Sequence, residues 1–334
     1  MWNNYFCFCD KFYYYVLNLC VVNMQKICYN VSGIFLFLEE LWYMELLLEI
    51  LKSIVLGVIQ GITEWLPISS TGHMILFDSF WPLNPSVYSG GRDFVNLVFT
   101  VIQLSSIFAV MAVFAKKLNP FCAEKGLKEK KETFVMWKKI FVATLPAVVI
   151  GLMFKDSIHT YLYNGFVVAL TLILYGAFFI VVENLNEDGR AKISKLNQID
   201  YKIAFLMGIF QAFALIPGTS RSGATILGAL VMGCSRSVGA EFSFCMSIPI
   251  MIGASVAEII SYFKKHGIGF SSNEWIVLSV GFLVSFVVSV MVIKSLMRFI
   301  KSHSFKIFAY YRIVVGMFVL SCMISGVLNL TLRI

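Results

Sequence analysis

The strongest constraint on this chain is a series of apolar runs long enough to cross a bilayer. A spanning helix needs about 20 mostly apolar residues. Such runs fall at 94–115, 166–182, 275–293 and 307–330; a shorter one lies at 140–155, and one interrupted by Pro249 at 242–263. Composition agrees, with 59% hydrophobic and only 14% charged residues, where a soluble domain carries about 25% charged. The expected fold is all-α, a polytopic integral membrane protein. The net charge of +8 then belongs to loops, and no nucleic-acid partner is expected. The cysteines show no disulfide or metal-ligand spacing. Cys234, Cys245 and Cys322 sit in apolar runs and read as packing residues.

Basic residues in short loops mark the cytoplasmic side. Segment 116–139 carries eight Lys against three Glu, 183–202 carries four Lys/Arg, and 294–306 carries four with no acid. The loops between are poor in them, with none at 156–165 and two at 264–274. The first three segments are thus expected inside, and 156–165, 264–274 and the C-terminus outside. Residues 1–43 differ from the rest. They are crowded with Tyr, Phe, Asn and Cys and make a poor signal peptide. An orderly helical pattern, MELLLEILKSIVLG, begins at Met44. The expectation is a dispensable extension over 1–43 and a membrane domain over 44–334; the other reading of 1–43 is a genuine interfacial or membrane segment.

Two regions, 46–76 and 203–233, are apolar but broken by Pro, Gly, Ser and Thr. They resemble one another. GVIQGITEWLPISSTGHMIL (57–76) sets Gly57 and Gln60 against Gly208 and Gln211 of GIFQAFALIPGTSRSGATIL (208–227). A slip of one residue pairs Pro67 with Pro217, and a further adjustment pairs Gly72 with Gly223. The next segments, 94–117 and 242–265, align without a gap from Phe to Lys-Lys. With the loop charges, this predicts two inverted repeats, about 44–182 and 203–330, each a broken segment followed by three spans. In such folds the broken helices meet near the midplane and build the site there.

The first break carries Gln60 and Glu64, four apart and so on one helical face, then Ser69, Ser70, Thr71 and His73. A carboxylate, a hydroxyl and an imidazole this close suit a base, nucleophile and acid. Alternatively, the hydroxyls cap a helix restart and His73 is interfacial. The second break, PGTSRSGAT (217–225), has no acid and offers Gly218, Ser220, Arg221, Ser222, Gly223 and Thr225. Small residues before a helix start, with a guanidinium fork among them, suit phosphate. A tight turn with Arg221 reaching water is the alternative. The Walker motif is absent. Together the breaks predict phosphate chemistry on a substrate reached through the bilayer, a phosphorylated lipid.

QGITEWLPISSTGH and PGTSRSGAT resemble the two signatures of the undecaprenyl-diphosphate phosphatase, or bacitracin-resistance, family, and VATLPAVVIGL (142–152) and EFSFCMSIP (241–249) are similar to it too. The likeness covers about 44–330. It implies hydrolysis of undecaprenyl diphosphate in the bacterial cell membrane, recycling the carrier for peptidoglycan and other wall polymers and lowering sensitivity to bacitracin. It also implies a divalent cation, Mg2+ or Ca2+. Carried over, the catalytic residues are Glu64, Ser70, His73 and Arg221, with Gln60 and Glu64 toward the metal. Ser69, Thr71, Gly218, Ser220, Ser222, Gly223 and Thr225 are assigned to the substrate. Gln60 stands where the family motif permits Glu or Gln, and leaves one charge fewer there. Ser70 and a water molecule both remain as nucleophile. The other membrane lipid-phosphatase design requires a His where this chain has Leu227. An inverted-repeat carrier for a polyprenyl phosphate is the competing function, and it needs no acid–base set.

Overall fold

The computed structural model describes residues 31–186 and 191–325. Among these residues, ten helices of more than one or two turns carry the architecture: α1 Val31–Thr63, α2 Ser70–Phe80, α3 Gly91–Val113, α4 Leu127–Leu162, α5 Gly165–Leu185, α6 Tyr201–Phe213, α7 Arg221–Val231, α8 Arg236–His266, α9 Ser272–Phe299 and α10 Lys306–Ile324. Strands are absent among the described residues. Among the described residues, seven helical segments, beginning with Tyr43–Thr63, are long and apolar enough to span a bilayer, whereas α6 is shorter. The protein is thus an all-α multi-pass membrane protein. Lipid offers backbone groups no partners, which is why the crossings are helices.

The chain divides into two units, Met1–Glu49 and Ile50–Ile334. Residues 1–30 of the expected extension lie outside the described residues. The first helix runs through Met44 without interruption. All functional residues treated below belong to the second unit.

Element order repeats. A helix stops at a turn, a short helix follows, and three long helices come after: α1–α5, then α6–α10. The turn-forming residues explain the stops. Pro67 and Pro217 cannot donate a ladder hydrogen bond, and serines downstream compete for helix-end N–H groups. Pro146 and Pro249, by contrast, lie inside α4 and α8 without ending them. The expected short run at 140–155 is therefore part of a 36-residue helix, which begins within the basic segment expected as a loop.

Matched glycines occupy matched contacts. A methyl group on Gly57 would strike the Gly281 carbonyl and Val284 of α9, and one on Gly208 would strike the Ala143 carbonyl of α4. Thus α1 seats against α9 as α6 seats against α4. The aligned helices α3 and α8 pack together and run antiparallel. Lys117, just past the end of α3, pairs with Glu241 near the start of α8. Lys265, at the end of α8, lies 3.5 Å from Asp93 at the start of α3, and His266 lies 2.9 Å from it. Lys117 matches Lys265 in the alignment, and Asp93 falls opposite Glu241.

Candidate active site

Each turn ends on a serine with left-handed backbone, Ser69 at φ 75° and Ser220 at φ 69°. Non-glycine residues there store about 1–3 kcal/mol of strain, which surrounding structure must hold. In return each hydroxyl caps a short helix. Ser69 Oγ accepts from the Gly72 N–H at 3.3 Å and Ser220 Oγ from the Gly223 N–H at 3.1 Å. Such a cap is worth about 1 kcal/mol. The residues that open the helices are Ser70 and Arg221.

One carboxylate joins them. Glu64 is buried. Its Oε2 accepts from Ser70 Oγ at 2.7 Å and from Gln60 Nε2 at 2.8 Å, and its Oε1 accepts from Arg221 Nη2 at 2.9 Å. A buried carboxylate requires such compensation. Arg221 also lies over the Trp65 ring, 5.5 Å from its centre, and donates from Nη1 to the Ser243 carbonyl at 3.4 Å. The starts of α2 and α7 therefore converge on Glu64. Helix N-termini carry partial positive charge, each favouring an anion by about 0.3–1 kcal/mol or more where partly buried.

A cavity of about 1560 Å³ opens onto this cluster, lined by Gln60, Glu64, Ser70, Thr71, Gly218, Ser220 and Arg221. Its far end is lined by Asp78, Arg92, Asp93, Glu258 and Lys265, with Arg92 and Asp78 paired at 2.7 Å. Tyr163, also on this wall and beyond the spanning segment of α4, has its phenol pKa raised by burial, so it stays protonated at neutral pH.

The other expected residues lie behind this surface. Ser222 donates to the main-chain carbonyls of Glu64 at 3.0 Å and Leu66 at 3.3 Å, tying α7 to the first turn. Thr225 is buried and bonds Ser243 Oγ and the Arg221 carbonyl. Gly223 gives its N–H to the Ser220 cap. His73 is turned away from Ser70. Its Nδ1 lies 2.7 Å from the Ser69 carbonyl, so that nitrogen is the donor, and its Nε2 accepts from Tyr311 OH at 2.8 Å.

The helices behind the turns supply residues that motif reasoning missed. From α5, Thr171 Oγ1 donates to the Pro217 carbonyl at 2.8 Å. From α10 come Tyr311 and Arg312. Arg312 is fully buried and bonds carbonyls of both turns, Pro67 at 2.9 Å and Thr219 at 2.9 Å. It sits six residues into α10. That is deep for a flanking charge, and an ionisable group at depth is the signal that could have singled it out.

For a divalent cation, no three His, Cys, Asp or Glu side chains gather into a cluster among the described residues. Glu64 and Gln60 offer a carboxylate and an amide. That set suits Mg2+ only where phosphate oxygens and water complete the shell.

Residues 53–318 match the family described as bacitracin resistance protein BacA. The chain is 50% identical over 275 residues to "Undecaprenyl-diphosphatase 1" of Clostridioides difficile (strain 630), covering 82% of this chain and 96% of that protein. It is likewise 50% identical over 275 residues to an undecaprenyl-diphosphatase of Desulfitobacterium hafniense, covering 82% and 96%. With that of Enterococcus faecalis (strain ATCC 700802 / V583) it shares 48% over 265 residues, 79% and 94%.

Proposed function

Since the chain belongs to the bacitracin resistance protein BacA family, we propose that it hydrolyses undecaprenyl diphosphate to undecaprenyl phosphate and phosphate in the bacterial plasma membrane. This returns the lipid carrier to peptidoglycan and wall-polymer synthesis and limits the diphosphate that bacitracin can sequester. The observation that carries the reading is the Ser70–Glu64–Arg221 chain, which sets a hydroxyl, a base and a phosphate-binding fork at one cavity wall. A carrier needs the fork but not the hydroxyl–carboxylate bond.

In the proposed reaction the terminal phosphate enters between the starts of α2 and α7. Arg221 exchanges the Glu64 carboxylate for phosphate oxygens, where its planar fork makes two parallel bonds. Glu64 then has Oε1 free of Arg221 while Oε2 still faces the Ser70 hydroxyl. It takes the proton as Ser70 Oγ forms a bond to the terminal phosphorus and the bond to the bridging oxygen breaks. Undecaprenyl phosphate leaves, and water releases phosphate from Ser70. Phosphoryl transfer rests mainly on positioning and charge stabilisation, and both helix N-termini contribute to the second. A divalent cation would be held by Gln60 and Glu64 together with substrate oxygens, and when bound it would neutralise phosphate charge. His73, held by Ser69 and Tyr311, steadies the turn that presents Ser70; to donate a proton it has to leave Tyr311.

The antiparallel fit of α3 and α8 supports inverted repeats. The cavity's far end is lined by residues at the start of α3 and the end of α8, opposite the basic segments 116–139, 183–202 and 294–306. The positive-inside rule places that mouth at the outer surface.

Phosphate release by the purified full-length chain from undecaprenyl diphosphate, with and without chelation of divalent cations, tests the proposal. Release by wild type and its loss in Ser70→Ala are expected. Release unchanged in folded Ser70→Ala would move the attack to water. Binding of the lipid with no phosphate released would favour a carrier.

A further inference from the structure

Arg312 is a full positive charge deep in a membrane helix, and its partners are peculiar. Its N–H groups face five main-chain carbonyls: Nη1 lies 2.9 Å from Pro67, Nε 3.4 Å from Leu172, and the two N–H groups of Nη2 are shared among Thr219 at 2.9 Å, Gly218 at 3.1 Å and Thr171 at 3.3 Å. The guanidinium also lies 5.6 Å from the centre of the Tyr175 ring. Burying a charge at such depth is expensive, and a neutral amide could satisfy one or two carbonyls at lower cost. Only a guanidinium offers five donors in a fixed plane, which is what reaching both turns from one side chain requires.

The chosen carbonyls explain what this does. Pro67, Gly218 and Thr219 lie in the turns, where the helices have stopped and carbonyl oxygens lose their ladder partners. A peptide unit is planar and trans, so its C=O and N–H point in opposite directions. Drawing the Thr219 oxygen toward Arg312 turns the Ser220 N–H away from Arg312. Freed of that hold, the same peptide could rotate and present a carbonyl oxygen to an incoming phosphate, which it would repel. A Cβ on Gly223, in the first turn of α7, would lie 3.0 Å from Arg312 Nη1. The cation therefore stands directly behind the anion-binding end of that helix.

We infer that Arg312 is a positioning residue for the phosphatase reaction: it orients the peptide planes of both turns and so sets Ser70 and Arg221 against a single diphosphate. The inference rests on the proposed activity, and wild-type phosphate release on undecaprenyl diphosphate establishes that activity before any variant is compared. Arg312→Lys and Arg312→Gln are made in the full chain, alone and combined with Arg221→Lys. Steady-state kcat and KM are measured beside thermal melting in detergent. The expected result is a folded Arg312→Lys whose kcat falls at least about thirtyfold, since small misplacement of reacting groups costs up to about a hundredfold, with a smaller change in KM. Because Arg312 acts in part through Arg221, the double variant is expected to lose less than the product of the two single losses, the mark of coupled sites. Arg312→Lys with kcat near wild type would overturn the inference. So would losses that multiply in the double variant. Failure of both single variants to fold would make Arg312 a folding determinant and overturn it as well.

Discussion

The turn after Thr63 and the turn after Phe213 both end on a left-handed serine whose hydroxyl caps an 11-residue helix. Their equipment differs. The first contributes Gln60, Glu64 and the Ser70 hydroxyl; the second contributes no acid and places Arg221 at the position matching Ser70. The supports behind them differ in the same sense. Helix α5 holds the second turn through the Thr171 hydroxyl, whereas α10 holds the first through Tyr311 and reaches both through Arg312. The two turns thus share a backbone device, a positive-φ serine capping a short helix, and differ in the side chain that opens that helix. A site made of two like halves would have two hydroxyls or two cations. Phosphoryl transfer needs one of each.

Five changes probe that division of labour. Glu64→Gln should have the largest effect, because it removes the proton acceptor for Ser70 while keeping size. A loss of about 10²–10⁴ in kcat is expected, the usual worth of a general base, with KM less affected; a loss confined to KM would make Glu64 a binding group only. Arg221→Lys should lower kcat/KM about a hundredfold, or about 2.7 kcal/mol at about 1.36 kcal/mol per tenfold, since an ammonium cannot make the paired bonds of a guanidinium. A folded Lys variant within threefold of wild type would remove Arg221 from the site. Ser222→Ala cuts the tie between α7 and the Glu64 and Leu66 carbonyls. An unmade buried hydrogen bond costs about 1–3 kcal/mol, so a lower melting temperature and roughly tenfold slower turnover are expected together; normal melting and turnover would show that the turns need no such tie. The smallest pair is Tyr311→Phe and Thr171→Val. Each removes one support, at about 1 kcal/mol of stability and little activity. A collapse of kcat in Tyr311→Phe alone would show that the His73–Tyr311 contact belongs to the chemistry of the first half.

Much of this was legible in the sequence. Polar residues inside apolar runs are costly, so Glu64 and Arg221 stand out. The alignment of 94–117 with 242–265 foretells the antiparallel α3–α8 pair with its matched end charges. Other features were hidden for physical reasons. The run at 140–155 reads as short and Pro249 as an interruption, yet α4 extends well beyond that run, with Pro146 inside it, and α8 continues through Pro249. Ser222 and Thr225 sit within a phosphate-like motif, but their hydroxyls bond protein groups. His73 looked near Ser70 in sequence, yet the start of α2 turns its ring toward Tyr311. Arg312 lies inside an apolar run, but its carbonyl partners come from segments distant in sequence, which no local pattern displays.

The placement of Arg312 on α10 also bears on how the protein is made. Synthesis is vectorial, and α10 emerges after both turns have left the ribosome. Until it inserts, the Pro67 carbonyl and the Gly218 and Thr219 carbonyls lack the bridge that Arg312 makes between them. A nascent chain interrupted before α10 would carry Glu64, Ser70 and Arg221 without the Arg312 contacts to both turns. If Arg312 positions the turns as inferred above, full competence waits on translation of α10, and a product ending before it is expected to turn over the lipid carrier poorly.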